Sequence, residues 1–421
     1  MNAIEGRSGD SPVTLAVIGA GSRGTGYCEY AIDNPQRAKV VAVAEPRDEH
    51  RRAFQKIHNI PDEMAFADWR ELAARPKLAD AALIATPDRQ HVDPAVTLAG
   101  LNYDVLLEKP MAPSPEECRR ITEAAEGIVF AVCHVLRYQR YTAVLKQLLD
   151  EGAIGQLQSV QHLEPVGYWH YAHSYVRGNW RNEAEASPML LAKSCHDIDL
   201  LRYLIGARCT AVSSFGSLTH FTPENKPAEA GSATRCLECK HEPDCTYSAP
   251  RFYLGRLEQG NRRWPVNVVT RDTTEGGVLA ALRTGPYGRC VYECDNDVVD
   301  HQVVTLQYET GVTASFTMVG TSKARHRETV LFGSHGELRG DGHHITHVDF
   351  RTGAVTEHDV DGPTGTHSAD HTLVEAFVEA VRTRNPGTIL SGPAETLETH
   401  LTVFAAEQSR REARIVPVPQ V

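Results

Sequence analysis

The chain has 421 residues, of which 41% are hydrophobic and 23% charged, and its formal net charge is −11 at pH 7. This length predicts two domains, and the composition is that of a globular protein. The acidic balance argues against a nucleic-acid-binding protein, which needs a basic face, and the lack of a long apolar run argues against a membrane-spanning segment.

Residues 1–12 are polar and lack the hydrophobic stretch of a signal peptide. We therefore expect a disordered tail and a cytoplasmic protein. In such a chain, the ten cysteines predict reduced thiols or a metal site in preference to a framework of disulfides.

An apolar run that begins at Val13 leads directly into a glycine motif of the form Gly-x-Gly-x-x-Gly. A dinucleotide pyrophosphate needs this order: a tight turn, close approach of the backbone, and a helix that starts with its N–H groups facing the anion. A glycine-rich turn without a ligand is the alternative. The predicted cofactor-binding residues of this motif are Gly19, Gly21, Ser22, Arg23 and Gly24.

The next predicted strand, 39–44, ends at Glu45. An acidic residue about 20 positions past the glycines holds the ribose diol of NAD. Arg47 stands close enough to meet a 2′-phosphate, which leaves NADP as the alternative. Because Glu45 would repel that phosphate, we favour NAD.

Strand and helix signals alternate up to about residue 135, which predicts an α/β domain with a doubly wound parallel sheet (Rossmann fold) over residues 13–135. Ligands of such sheets bind beyond the carboxyl ends of the strands. We therefore add to the cofactor site the residues that follow the predicted strands 79–85 and 103–108, which are Thr86, Pro87, His91, Glu108 and Lys109.

From about residue 156 the hydrophobic pattern changes to the alternation of antiparallel strands, and residues 302–308 and 312–319 form a predicted hairpin. Residues 136–421 are therefore predicted to form an α+β domain with a largely antiparallel open sheet. We expect one helix over 189–204. Further helices, at 371–382 and after Pro393, are expected to pack back on the first domain.

Several motifs together resemble the Gfo/Idh/MocA family, which includes glucose–fructose oxidoreductases and inositol dehydrogenases. The most specific is Glu108-Lys109-Pro110 after a strand. The resemblance implies NAD(P)-linked sugar chemistry, a homo-oligomer formed through the open sheet, and a Lys109 that reaches the reacting carbon beside a cis Pro110. The other motifs are Gly19–Gly24, Ala85–His91, Gly152–Gly155, His196–Leu201 and Phe332–Leu338.

In the family's dehydrogenases, an aspartate commonly precedes the active-site histidine by four residues. Here Ala192 stands at that position before His196, and Lys193 follows it. The departure removes the usual acidic partner of the histidine and places a cation near it.

Hydride transfer from a sugar carbon requires a base for the hydroxyl proton and groups that orient the ring. Lys109 is the predicted polar group at the reacting hydroxyl. Lys193, His196 and Asp197 share one face of the predicted helix at i, i+3 and i+4. We predict His196 as the acid–base partner, with Asp197 orienting it or pairing with Lys193; a solvated charged face is the alternative.

A segment dense in aromatic, histidine and arginine side chains is the candidate sugar site. Aromatic faces stack on sugars, and arginines bind carboxylate or sulfonate groups, so together with Lys193 they predict an anionic sugar. A surface loop with ordinary packing is the alternative. The predicted substrate-binding residues are Tyr168, His170, His173, Arg177, Trp180 and Arg181, joined by His134 and Arg137 after the last Rossmann strand.

Cys236, Cys239 and Cys245 have a spacing that suits a structural zinc in a long insertion without secondary structure. His241, Cys290 or Cys294 would supply the fourth ligand. Free buried thiols are the alternative.

The leading functional hypothesis is an NAD-dependent glycoside hydrolase without net redox change. Oxidation at ring carbon 3 acidifies the proton at carbon 2, the group at carbon 1 is eliminated, water adds, and the ketone is reduced back. An anionic glycoside, such as a uronide or sulfoquinovoside, is the candidate substrate. The alternative is an ordinary sugar or inositol dehydrogenase, and the distant alternative is a non-catalytic NAD-binding sensor.

Overall fold

The computed structural model describes residues 11–323, 325–360 and 368–421; residues 1–10, most of the predicted tail, lie outside that range. The first domain contains six strands and the helices that connect them. The strands are β1 (Val13–Ile18), β2 (Ala38–Ala44), β3 (Ala65–Phe66), β4 (Ala81–Ile84), β5 (Asp104–Leu107) and β6 (Phe130–Val132). The connecting helices are α1 (Ser22–Asp33), α2 (Asp48–His58), α3 (Trp69–Ala73), α4 (Val92–Gly100) and α5 (Pro115–Ala124), and α6 (Arg140–Asp150) follows the last strand and leads to the second sheet.

These six strands form one parallel sheet in the order β3-β2-β1-β4-β5-β6, which confirms the predicted Rossmann fold. Both faces of the sheet are covered. Ala16 and Ile18 of β1 pack into one hydrophobic cluster, whereas Leu15 and Val17 pack into another on the opposite face. Burial on both sides explains why the strands read as continuous apolar runs.

The second domain is built on nine further strands. They are β7 (Leu157–Pro165), β8 (Cys209–Ser217), β9 (His301–Tyr308), β10 (Thr313–Val319), β11 (Glu328–Gly333), β12 (Gly336–Gly340), β13 (His344–Asp349), β14 (Val355–Asp359) and β15 (Val416–Pro417). Their order is β14-β13-β12-β11-β7-β10-β9-β8-β15, and all neighbours are antiparallel except the parallel pair β7 and β10. The predicted hairpin is β9–β10, and the prediction of a largely antiparallel sheet is confirmed.

Two expectations about this domain were wrong in detail. The helix predicted over 189–204 is two helices, which break at Lys193 and Ser194. The insertion between β8 and β9 was expected to lack secondary structure, but it contains three helices around a small apolar core of its own. The domain's helices are α7 (Tyr168–Tyr171), α8 (Met189–Ala192), α9 (Cys195–Ile205), α10 (Ala249–Glu258), α11 (Val266–Val269), α12 (Glu275–Thr284), α13 (Ala369–Thr383) and α14 (Pro393–Glu412).

Helix α13 returns from the second domain to the first. Its Leu373 and Phe377 share a hydrophobic cluster with Tyr27 of α1. Asp370, at its start, accepts a hydrogen bond from Arg23 of α1 at 2.8 Å. Among the residues that the structure describes, none of the helices is long and apolar enough to cross a membrane.

Candidate active site

The glycine loop has the backbone that a dinucleotide site requires. Gly19 has φ +93°, and a Cβ there would lie 2.7 Å from the carbonyl oxygen of Ala85, while a Cβ on Gly24 would lie 2.1 Å from the oxygen of Gly19. By contrast, the nearest atom to a Cβ on Gly21 is an Arg47 nitrogen at 3.6 Å. The outer two glycines thus pack tightly, and the middle one leaves room for phosphate at the start of α1.

Glu45 lies at the carboxyl end of β2, buried beside this loop. Its carboxylate accepts hydrogen bonds from the Ala20 N–H at 3.0 Å and from Arg47 Nε at 2.7 Å. Burial raises the pKa of Glu45, but the hydrogen bonds from Arg47 outweigh this effect and lower it below its ordinary value. An ionised acid at this position fits the ribose diol of NAD.

Other predicted cofactor residues are held by protein partners. Arg23 donates to Glu108 at 2.8 Å and to Asp370, so it ties α1 to the end of β5 and to α13. Buried His91 contacts the carbonyl oxygens of Pro110 at 2.7 Å and Thr86 at 2.8 Å. These side chains hold the loops around the site in place. In the described structure, they take structural partners instead of projecting freely toward a cofactor.

Lys109 joins the two domains. It follows β5, its bond to Pro110 is cis, and its Nζ donates to the carbonyl oxygen of Ala192 at 2.6 Å. Ala192 ends α8 in the second domain. The contact brings the end of a Rossmann strand to the segment that carries Lys193 and His196.

The break between α8 and α9 changes the predicted geometry of that segment. Lys193 lies at the break, so it does not share one continuous helix face with His196 and Asp197, as the sequence had suggested. Its Nζ lies 3.3 Å from Glu164 Oε1. Burial lowers the pKa of Lys193 although Glu164 opposes the shift. Lys193 is therefore paired with a carboxylate and is not a free cation.

His196 is partly buried at the start of α9, beside Lys109 and His134. Burial, followed by the charge of Lys109, lowers its pKa well below the ordinary value. The ring lies edge-to-face with His134, with 5.7 Å between centroids. A neutral imidazole is able to accept a proton.

His134 is fully buried between His196 and His400, and burial lowers its pKa to about 4. Within the described ranges, neither ring nitrogen of His134 has a hydrogen-bond partner, and neither does Nδ1 of His196. Buried polar atoms are normally paired. His134 Nδ1 lies 3.7 Å from Asp199 Oδ2, so His134 Nε2 and His196 Nδ1 are the nitrogens that fit a site completed by a ligand.

Arg137 was predicted as a substrate ligand, and this prediction was wrong. The side chain is buried, and its Nε and Nη2 donate to the two carboxylate oxygens of Asp199 at 2.7 and 2.8 Å. Its Nη1 donates to the Leu390 carbonyl oxygen and to Glu395. Because all three nitrogens are engaged, Arg137 is a structural bridge below His134.

Asp197 has partners that the sequence did not indicate. It accepts hydrogen bonds from Arg327 and, at 3.2 Å, from His162, so it neither orients His196 nor pairs with Lys193. Although burial raises the pKa of Asp197, the charge of Arg327 lowers it below the ordinary value. Arg327 also lies 2.8 Å from Glu164.

His162 and Glu164 were missed. They occupy inward-facing positions of β7, where the alternating pattern of a strand predicts apolar residues. Polar residues at those positions are the sequence feature that could have identified them as site residues. Arg327 precedes β11 and carried no such signal.

The aromatic segment divides into two parts. His170 stacks on Trp169 and meets Trp264 edge-on at 5.0 Å between ring centroids. Burial and then the charge of Lys193 lower its pKa, which places His170 on the side of the segment that faces Lys193. His173 instead bonds the Tyr253 hydroxyl at 2.8 Å within the insertion. The prediction of His173 as a sugar ligand is therefore not supported.

Tyr168 and Trp180 lie at the borders of this segment. Tyr168 is 39% exposed. The Trp180 indole N–H donates to Asp88 at 3.4 Å, next to Pro87 of the cofactor loop. Both stay candidate substrate residues, with Trp180 bridging the two domains.

The arginines do not form an anion site. Arg177 is buried and donates to the carbonyl oxygens of Arg289 and Tyr247, each at 2.8 Å. Arg181 forms two hydrogen bonds of 2.9 Å with the Asp295 carboxylate. With Lys193 on Glu164, each cation has a protein partner, so the argument for an anionic sugar loses its basis.

The predicted zinc site is not supported. Over the described ranges, no group of three or more histidine, cysteine or acidic side chains is placed to hold a metal ion. All ten cysteines are free thiols. Arg177 donates to the Cys236 sulfur at 3.4 Å, and this thiol belongs to the apolar core of the insertion. The alternative of free thiols describes Cys236, Cys239 and Cys245.

Comparison with known proteins agrees with the fold and the cofactor cleft. Residues 13–129 match the family described as "Oxidoreductase family, NAD-binding Rossmann fold", and residues 146–419 match its C-terminal alpha/beta domain. A 2,7-anhydro-N-acetylneuraminate hydratase of Escherichia coli (strain K12) is 25% identical over 63% of this chain and 67% of its own length. A scyllo-inositol 2-dehydrogenase (NAD(+)) of Bacillus subtilis (strain 168) is 28% identical over 49% of this chain and 58% of its own length.

Among solved structures, a levoglucosan dehydrogenase in complex with NADH is similar in fold. Its TM-score is 0.68 at 16% identity, over 98% of this chain and all of that one. The two family matches together span most of the sequence. The chain is therefore a member of the Gfo/Idh/MocA family of NAD-dependent sugar oxidoreductases and an enzyme.

Proposed function

We propose that the enzyme transfers hydride between a secondary carbon of a sugar or cyclitol ring and NAD. The observation that carries this proposal is the contact of Lys109 Nζ with the Ala192 carbonyl oxygen. Through it, a Rossmann strand end and the start of α9 bring Lys109 and His196 to one point at the mouth of the cofactor cleft. Bound NAD would supply the hydride acceptor.

Lys109 and His196 would divide the proton chemistry. The Lys109 ammonium would donate a hydrogen bond to the substrate oxygen and stabilise negative charge as the hydroxyl proton leaves. His196, held neutral by burial and by the charge of Lys109, would accept that proton. His134 and His170, on either side, would hold the ring through hydrogen bonds.

The relatives support the substrate class. Their names describe an inositol dehydrogenase, a levoglucosan dehydrogenase and a hydratase of an anhydro-sugar acid. The identities are low, so the particular sugar and the position oxidised form part of the proposal.

The redox-neutral glycoside cycle is the second candidate, and Lys193 favours it. Elimination needs a base that removes the proton from the carbon next to the new ketone, in addition to the groups that act at the oxidised carbon. Burial lowers the pKa of Lys193, which increases the fraction of unprotonated amine able to accept a proton, although Glu164 beside it opposes the shift. In this scheme Lys193 takes the proton from carbon 2.

The first experiment separates these two reactions. Neutral and anionic nitrophenyl glycosides, free sugars and inositols are incubated with the enzyme and a small amount of NAD, and nitrophenol and NADH are both followed. NADH formed in proportion to the sugar consumed supports a dehydrogenase. Many nitrophenol molecules per NAD, without NADH accumulation, support the redox-neutral cycle.

Lys193→Met sharpens this test, because Glu164 keeps Arg327 as a partner. The redox-neutral hypothesis expects this variant to lose nitrophenol release while hydride transfer to NAD persists. If neither product forms on any of these substrates although NADH binds tightly, the proposed hydride transfer from a sugar or cyclitol ring fails.

We also propose a homo-oligomer formed through the outer face of the nine-stranded sheet. Phe215 pairs with Val303 across β8 and β9, and their side chains are 65% and 41% exposed. Adjacent exposed apolar side chains on an open sheet indicate an interface. We expect Phe215→Asp to lower the mass measured by light scattering to that of a monomer, whereas Ile57→Asp, an exposed apolar position on α2, leaves it unchanged. A monomeric wild-type protein would contradict the proposal.

A further inference from the structure

The insertion between β8 and β9 is anchored to the sugar-site side of the molecule through an aromatic cluster. Trp264 lies 5.0 Å from the ring of His170, 5.6 Å from His173 and 5.4 Å from Trp169, measured between centroids. Two residues further on, Val266 is buried in the insertion's own core. This end of the segment is thus part of the second domain.

Seven residues after Trp264, the same segment reaches the first domain. Arg271 Nη1 donates to the carbonyl oxygen of Glu49 at 3.1 Å. Glu49 lies in the first turn of α2, which begins three residues after Glu45 at the end of β2. Residues 264–271, hereafter the strap, therefore run from the second domain to the end of the cleft where the adenosine ribose is expected.

The surroundings of Arg271 agree with this position. His50 lies one residue beyond Glu49; burial lowers its pKa, and the charges of Arg47 and Arg271 lower it further. Arg47 itself stands over Gly21 of the glycine loop. Arg271 therefore lies within electrostatic range of the groups that border the adenosine half of the cofactor site.

A dinucleotide that binds along the strand ends must leave through the opening between the two domains. A strap tied to α2 closes that opening at the adenosine end. We propose that Arg271 is a cofactor-retaining residue, which the second domain contributes to the NAD site through the strap. The inference rests on the dinucleotide cleft and does not depend on the proposed sugar chemistry.

We expect the strap to slow the exchange of the cofactor, because the Arg271–Glu49 hydrogen bond must break before the adenosine half can leave. The bond also has to break for binding, so both rates are expected to rise when it is removed. Loss of one hydrogen bond of ordinary strength corresponds to a change of about tenfold.

The test is the rate of NADH release, measured by stopped-flow fluorescence when excess NAD displaces bound NADH from the full-length enzyme. Arg271→Ala is expected to raise this rate about tenfold. Arg263→Ala removes another exposed arginine that lies next to the strap and serves as the matched control, with a rate equal to wild type. Because both side chains are exposed, neither variant should disturb the fold.

Two results would overturn the inference. Equal release rates for wild type, Arg271→Ala and Arg263→Ala would show that the strap does not retain the cofactor. Weaker binding of NADPH alone, with unchanged NADH release, would show that Arg271 reads a 2′-phosphate. An enzyme that oxidised no sugar would still give these rates, so failure of the proposed function would be seen separately.

Discussion

Lys109→Met should lower kcat/KM by about 10²–10⁴-fold, the range expected when a positioned proton-transfer group is lost. Methionine keeps an unbranched side chain of similar length but cannot donate to the substrate oxygen or to the Ala192 carbonyl oxygen. The glycine loop and Glu45 are untouched, so NADH binding should change little. Steady-state kinetics on the best substrate and a fluorescence titration with NADH measure the two effects.

Lys77→Met is the matched control for this variant. Lys77 Nζ also donates to a backbone carbonyl oxygen, that of Asn102, at 2.6 Å. Asn102 precedes β5, so this contact lies at the opposite end of the strand from Lys109. Its removal should leave kcat/KM unchanged. Equal activity of wild type and Lys109→Met would remove Lys109 from the proposed chemistry.

Arg137→Met should destabilise the protein by about 3–5 kcal/mol, because it leaves the buried Asp199 carboxylate without its main partner. Both side chains of this ion pair are fully buried. Urea unfolding at pH 7 measures the effect.

Arg351→Met provides the comparison. Arg351 also forms an ion pair, with Asp349, but more than half of its side chain is exposed, and water screens such a pair. We expect little change in its unfolding midpoint. Equal losses in the two variants would contradict the view that burial of the Arg137–Asp199 pair determines its importance.

Much of the first domain could be predicted because its signals are local. Gly19 has a positive φ, Gly24 approaches the Gly19 oxygen within one turn, and Glu45 follows directly from the end of a strand; only the close approach of Gly19 to Ala85 depends on a distant strand. The hairpin β9–β10 could be predicted for the same reason, because its two strands and its turn are neighbours in the sequence. In contrast, the prediction of a single helix over 189–204 was wrong. Apolar residues at helical spacing lie on both sides of Lys193 and Ser194, so the sequence gives no sign that the helix is interrupted there.

The sequence by itself determined the Rossmann fold, the dinucleotide loop and the position of Lys109 at a strand end, because neighbouring residues carry that information. Only the tertiary structure decided which charged groups are available for chemistry. Arg177 is bound by a carbonyl group 112 residues away, and Lys109 meets Ala192 across 83 residues. A charged side chain looks the same in a sequence whether it is free or paired, and its partner is set by the packing of distant elements. The same packing brings Arg271 to α2, 222 residues from Glu49.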